Sequence, residues 1–296
     1  MKKFTMRNAD RWPMHGNVSF ETLNKKAFWG RELKWGEIPE HQKDKIDFIE
    51  FIPTDMEHDD FPDVVRTLKN LKRIAIPTWF VPTLKNSAIP SGVETIIVGL
   101  LNESRKKVNW IKDEVFYNIS ELQGVGGGVG FFSDNFPNLT NLHINISKGE
   151  VEFDELISLS KLQSLIIEKP LTLASVNKLS VTDIRYLMLL SGKFSSLSGM
   201  SDIISLSKLE IRHCELSDLN GIQKLTNVND IDIFGCKKIT DIKPIADLPL
   251  VNKVHIIGCG SKWNDPSLPD YFRVKGFTQI IYEPDRVNSL FEAIRL

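Results

Sequence analysis

The chain has 296 residues, of which 42% are apolar and 25% charged, and its formal net charge is −1. Apolar content at that level supplies a folded protein with a continuous core. The near-zero charge excludes the long-range attraction that would draw nucleic acid or an anionic membrane to the surface.

The opening stretch, MKKFTMRNADRWPMHGNVSF, carries two lysines but no apolar h-region. No apolar run reaches the roughly 18 residues that a spanning helix needs, so a cytoplasmic location is expected. Residues 1–45 follow no repeat. Phe20, Leu23, Ala27 and Phe28 fall on one face of a helix that Ser19 would cap and Gly30 would stop. With Trp12, Trp29, Leu33, Trp35 and Ile38 they are expected to form an N-terminal cap over the open end of the array that follows.

From residue 46 to 283 a single pattern recurs in about eleven laps. Ile46, Ile49 and Phe51 open it with a longer lap; Leu71, Ile74, Ile76 and then Val93, Ile96, Val98 continue it at the shorter interval of the later laps. Residues 100–135 are irregular, because Ile119 and Leu122 fit the pattern but the next apolar position holds Gly124. Regularity returns with Leu139, Leu162, Ile184, Leu206, Val228 and Val251 as position 1 of successive laps, whose spacing varies by no more than a single position. Position 4 is then Leu142, Leu165, Leu187, Leu209, Ile231 and Val254, and position 6 is Ile144, Ile167, Leu189, Ile211, Ile233 and Ile256. Position 9 is Cys214, Cys236 and Cys259 in the last three of these laps. After the loop SKWNDPSLPDYFRVKG, Phe277, Ile280 and Tyr282 are expected to make a last lap. Val287, Leu290, Phe291 and Ile294, spaced i, i+3, i+4 and i+7, predict a C-terminal capping helix over 284–296.

Positions 4 and 6 alternate as in a short strand and send both side chains to one face, while position 5 should point to solvent. Between strands, Leu216, Leu219, Ile222 and Leu225, then Ile239, Ile242, Ile245 and Leu248, recur every three residues. That spacing suits a 3₁₀-like or irregular return. No lap can bury its own lining, so stacked neighbours must complete the core. The period and the form LxxLxLxxN/CxL are the signature of the leucine-rich repeat. The runs LSDLNGIQKLTNV and ITDIKPIADLPLV resemble the short repeats of the bacterial internalin group. That resemblance implies an α/β repeat solenoid with a parallel sheet on its concave face, short convex segments and a cap at each end. In that family position 9 is usually Asn; here it is Cys.

Several residue groups invite a chemical reading. The run GVGGGVG at 124–130 completes no GxGxxG register and precedes no GK[ST], so it reads as turn glycines rather than a phosphate cradle. Glu57, His58, Asp59 and Asp60 are adjacent in a short loop with no second ligand cluster, which reads as a solvated acidic loop rather than a metal site. The cysteines form no CxxC pair, and their odd number and reducing surroundings favour a buried column of free thiols. The serines lie in no GxSxG elbow. Neither an enzyme nor a cofactor is expected.

The strand positions say more. Positions 3, 5, 7 and 8 should line the open sheet face with His143, Asn145, Ile166, Glu168, Lys208, Lys253 and Ile257 around a central set. That set is Tyr186, Met188, Leu190, Glu210, Arg212, His213, Asp230, Asp232, Phe234 and His255. Apolar groups rimmed by charge suit a protein partner. The expectation is a monomeric, non-catalytic module whose concave face binds another protein, in its narrower form a bacterial immunity protein masking a toxin or effector. Two other readings stand beside it: a small-molecule binder or enzyme using the Gly-rich lap or the N-terminal cap, and a secreted or surface adhesion protein. The lap register itself is testable. Ile233→Asp places a charge inside the stack and is expected to unfold several laps, whereas Arg212→Ala leaves the melting temperature nearly unchanged; an Ile233→Asp protein that melts like wild type breaks the register.

Overall fold

The computed structural model describes residues 3–5, 32–34, 43–44, 46–50, 61, 63–98, 108–126, 129–130, 132–145, 153–170, 173, 176, 179–180, 182–200, 203–260, 263–284 and 289–295. The chain divides into two compact units, Met1–Leu139 and Thr140–Leu296.

In the first unit β1 (Lys3–Thr5) and β2 (Glu32–Lys34) pair antiparallel, and β1 also lies antiparallel to β3 (Phe48–Glu50). The helix expected over 19–28, the tryptophans at 12, 29 and 35, and the acidic loop 57–60 lie outside the described residues. From β3 onward the pairing is parallel, through β4 (Arg73–Ile76), β5 (Thr95–Val98) and β6 (Glu121–Gly126). Ile49, Ile74, Ile96 and Leu122 meet in this register with no exposed surface. The irregular lap has a steric cause at Gly124, whose φ is +79° and where a Cβ would stand 2.0 Å from the Val98 carbonyl oxygen. Only glycine allows that approach, and the buried position passes to Val125. Trp110 then packs edge-on against Phe116 and Phe136 at 5.4 and 5.0 Å, and the Asn135 amide donates to the Ile111 and Glu114 carbonyls. Residues 108–126 and 132–136 are therefore an ordered lap.

The second unit carries β7 (Asn141–Asn145), β8 (Ser164–Glu168), β9 (Tyr186–Leu190), β10 (Lys208–Arg212), β11 (Asp230–Phe234) and β12 (Lys253–Ile257), each parallel to its neighbours. Registers align the expected positions: Leu165, Leu187, Leu209, Ile231 and Val254 stand side by side, as do Ile167, Leu189, Ile211, Ile233 and Ile256. All ten are fully buried, each worth about 2–3 kcal/mol over an exposed side chain.

Polar groups bind lap to lap. At position 9, the Cys214, Cys236 and Cys259 thiols lie 3.4, 3.7 and 3.6 Å from the position-6 carbonyls of the preceding laps, at Leu189, Ile211 and Ile233. They are free and buried. Contact with Cys214, together with burial, pushes the Cys236 thiol up to about 12, so it stays protonated and donates at the bend where Asn would. A second ladder sits one residue before position 1. Asn227 Nδ2 donates to the Ile204 carbonyl at 2.7 Å and Ser205 Oγ to that of Thr182 at 2.8 Å. In the first unit Asn70 reaches Asp44, and Asn138 reaches Tyr117, in the same way.

The carboxyl end departs from expectation. The described residues of 284–296 form no capping helix: Leu290–Ile294 is a strand, β14, running antiparallel beside β12, and Gln279–Glu283 (β13) is antiparallel to β14 rather than a lap stacked on β12. The last parallel strand leaves a row of backbone N–H and C=O groups open, which a strand satisfies and a helix cannot. The sequence LFEAI also alternates, with Phe291 and Ala293 fully buried and Leu290, Glu292 and Ile294 half-buried on the other face. No helix among the described residues is long and apolar enough to cross a membrane.

Strands β8 to β12 each end at position 8 in a left-handed residue: Lys169, Ser191, His213, Gly235 and Gly258 have φ of 59°, 54°, 53°, 68° and 64°. A side chain there costs about 1 kcal/mol. At Gly235 a Cβ would also stand 2.4 Å from the His213 ring nitrogen. Gly235→Ala is therefore expected to destabilise by about 1–2 kcal/mol, and His213→Gly to stabilise by about 0.5–1 kcal/mol, in urea melts. In the His213→Gly background the alanine penalty should shrink, since the ring it strikes is gone; an unchanged penalty shows that the backbone angle alone sets it.

Candidate functional site

Parallel register sorts the strand face of the second unit into three rows. Position 3 gives Asn141, Ser164, Tyr186, Lys208, Asp230 and Lys253; position 5 gives His143, Ile166, Met188, Glu210, Asp232 and His255; position 7 gives Asn145, Glu168, Leu190, Arg212, Phe234 and Ile257. In the first unit the matching face is only partly closed: Phe48, Ala75 and Ile97 form a buried cluster and Thr95 is 5% exposed, while Arg73, Glu121 and Gln123 are half-exposed.

The middle row is not solvent-facing throughout, which corrects the expectation for position 5. Ile166, Met188 and Glu210 are 4%, 2% and 5% exposed. Rows lie only about 6.6 Å apart along each strand and the strands about 4.8 Å apart, so long side chains at positions 3 and 7 close over the centre. The expected apolar patch is thus mostly core, and Met188 offers no surface to a partner. Tyr186, Leu190, Arg212, Asp230, Asp232, Phe234 and His255 are half-exposed on the face, and His213 is exposed in the left-handed turn with its ring edge-on to Phe234 at 5.0 Å.

Glu210 is the centre of a closed charge network. Its Oε2 accepts from Arg212 at 2.8 and 3.0 Å, its Oε1 lies 3.2 Å from Lys208 Nζ, and Lys208 reaches on to Asp230 at 3.4 Å. Tyr186 sits beside the same carboxylate with Lys208 Nζ 6.0 Å from its ring centre. Burial opposes ionisation of Glu210, but Arg212 and Lys208 together outweigh it and hold the carboxyl below its ordinary value. Arg212→Ala strips the nearer cation from a buried carboxylate, so the unchanged melting temperature expected from the sequence becomes a loss of about 1–3 kcal/mol. Burial first, then Glu210, pushes the Tyr186 hydroxyl up. Asp232, one strand along, is raised by burial and by Glu210, with His255 Nδ1 3.8 Å away. Lys208 completes the network from position 3, a role without a signal in the linear repeat, where nothing marks one lysine as lying over a buried acid.

A smaller pair sits at the other end of the face, where His143 Nε2 lies 3.6 Å from Glu168 Oε2 and Lys169 Nζ 3.1 Å from Oε1. His143 and Lys169 hold the Glu168 carboxyl down at about 2 against the opposing effect of burial. Among the described residues no group of three or more His, Cys, Asp or Glu is placed to hold a metal ion.

No protein-family model and no curated protein sequence matches the chain. Among solved structures it is similar to internalin C2 from Listeria monocytogenes str. 4b F2365, at 16% identity over 72% of this chain and 82% of that one, with a TM-score of 0.37. It is also similar to the internalin inlF of the same strain, at 14% identity over 77% of this chain and 64% of that one, TM-score 0.32. A third similarity is to a chain of the TLR13–ssRNA13 complex, at 16% identity over 60% of this chain and 35% of that one, TM-score 0.33. Likeness at this level carries no function across.

Because its folded pKa is depressed, Glu168 contributes stability that is present above its ordinary pKa and is lost as pH falls from about 5 towards about 2. Half-exposure limits the amount to on the order of 1 kcal/mol. Glu168→Gln is expected to remove this acid-limb dependence from the stability profile while leaving the neutral-pH fold intact; a Gln variant with the wild-type acid limb places the dependence elsewhere. The fold itself is that of the leucine-rich repeat, carried by the chain's own regular period and the parallel alignment of positions 4 and 6.

Proposed function

We propose that the chain is a protein-interaction module whose partner docks on the strand face of the second unit around Tyr186, Arg212, Asp232 and Phe234. The observation that carries this reading is the buried Glu210 network. The same position in the two preceding laps is Ile166 and Met188, also buried, so the solenoid needs no charge there. A buried ion network is often no more stabilising than apolar residues of similar volume. What it does supply is a fixed array: Arg212, Lys208 and Tyr186 are held in one arrangement before any partner arrives, which lowers the ordering entropy that binding must overcome. Half-exposed Leu190 and Phe234 beside Tyr and Arg make the mixture that dominates protein interfaces. Masking of a toxin or effector, as an immunity protein would do, is the narrower form of this reading.

Glu210→Met separates the roles. It copies the residue of the neighbouring lap and is expected to leave the melting temperature within about 3 °C of wild type. Co-purification from the source cell is expected to recover a partner with wild type and to lose it with Glu210→Met and with the triple variant Tyr186→Ala, Arg212→Ala, Phe234→Ala. If Glu210→Met unfolds, the network is structural; if the folded variants keep the partner, the strand face is not where it binds. The identity of the recovered protein decides the narrower form.

A further inference from the structure

The strand added at the carboxyl end extends the face by one more column. β14 pairs with β12 so that Leu290 stands opposite Ile257, Glu292 opposite His255 and Ile294 opposite Lys253. Position 7 thereby becomes an apolar row, Phe234–Ile257–Leu290, all three half-buried. Beside it runs Asp232–His255–Glu292, two carboxylates flanking an imidazole, continued by Ile281 of β13, which is 46% exposed. The Glu210 carboxylate is clasped by Lys208 and Arg212, whereas Asp232 meets a His255 ring nitrogen at 3.8 Å.

The spacing of these rows selects the shape of what fits. Columns lie about 4.8 Å apart across the strands. A helix laid across them brings one turn about every 5.4 Å, and residues i, i+3 or i+4, i+7 to one side. Two turns therefore span about the same distance as three columns. An extended segment repeats its face about every 6.6 Å and falls out of step by the second column. The chemistry is set by the two rows: an apolar stripe for Phe234, Ile257 and Leu290, and positive charge for Asp232 and Glu292.

We infer that the surface of β11, β12 and β14 takes a short amphipathic helix of the partner protein, seated with aliphatic side chains on Phe234–Ile257–Leu290 and a Lys or Arg on the Asp232–Glu292 side. This rests on the strand face being the interaction surface and adds to it the shape and charge of the ligand. Helix-in-groove recognition of this kind reads anchors at i, i+3 or i+4 and i+7.

The test uses the full chain as bait for two displayed peptide libraries about four helical turns long, one on a helix-favouring scaffold and one on a proline-flanked extended scaffold, both randomised at alternate surface positions. The expected result is enrichment from the helical library of clones with a Leu, Ile or Phe stripe and flanking Lys or Arg. Their affinity should fall about tenfold in Asp232→Lys and in Glu292→Lys and fall with rising salt. Enrichment from the extended library alone, acidic flanks, or indifference to both charge reversals overturns the inference. Clones lost with Arg212→Ala but kept by Glu292→Lys leave the strand face as the interaction surface and remove only the helix. If no clone of either library is displaced by any strand-face variant, both fall. Melting curves of each variant confirm that the charge reversals, made at half-exposed positions, leave the chain folded.

Discussion

Every lap depends on a neighbour. Position 1, 4 and 6 side chains such as Leu206, Leu209 and Ile211 have no exposed surface, yet the strand carrying the last two is five residues long and its return is a 3₁₀ turn or a bend. Such a unit has no second layer of its own to pack against. Burial arises only because the next lap repeats the same positions at the same interval and lays them alongside. Stability is then a sum of nearest-neighbour terms, and the backbone and side-chain ladders serve the same end. Thiols at position 9 and Asn or Ser before position 1 both donate to carbonyls of the preceding lap. A bend in every lap leaves carbonyls facing inward, and an unsatisfied buried carbonyl costs about 1–3 kcal/mol.

That economy leaves the other face of the strands free to vary, and the second unit varies it by lap. β8 and β9 fill the middle row with Ile166 and Met188, β10 places Glu210 there, and β11 places Asp232. Since all four strands hold the same backbone register, the changes cannot be accounted for by backbone geometry. Burying Glu210 needs Arg212 two residues on and Lys208 two residues back, and both are on its own strand. The network is thus assembled within one strand at period 2, with Tyr186 and Asp230 contributed from the strands on either side.

The fold was legible because its signal is redundant. Six consecutive laps repeat the same spacing, so a single poor match changes nothing. Gly124 breaks the pattern at one position, and its place is taken by Val125 one residue later, a shift that only the contact with the Val98 carbonyl reveals. The left-handed column was hidden for a different reason. Lys169, Ser191 and His213 are not residues that announce a positive φ; the turn is imposed on them by the strands they end. Exposure within the strand face was the least legible property. Alternation tells which way Met188 and Glu210 point, but whether they reach solvent depends on the size of the side chains in the flanking rows, and hence on neighbouring laps that period 2 does not describe.

The carboxyl end joins these points. Leu290, Phe291 and Ile294 fit a helical stripe, and Leu290, Glu292, Ile294 against Phe291, Ala293 fit a strand; five residues cannot distinguish the two by pattern. The open edge of β12 settles it, because an array of parallel strands ends in unpaired backbone groups wherever it stops. Reversing direction lets β14 satisfy that edge a few residues after β13, whereas another parallel strand would need a full return. The reversal has a consequence for the surface. Antiparallel pairing sets Leu290 beside Ile257 and Glu292 beside His255, so the strand that closes the edge also extends the apolar and acidic rows begun by Phe234 and Asp232. A helix at that end would have stopped those rows at β12, leaving two apolar residues, Phe234 and Ile257, where the strand makes three. The cap and the candidate surface are consequently one feature, and the misread helix is the reason its full extent could not be seen in the linear pattern.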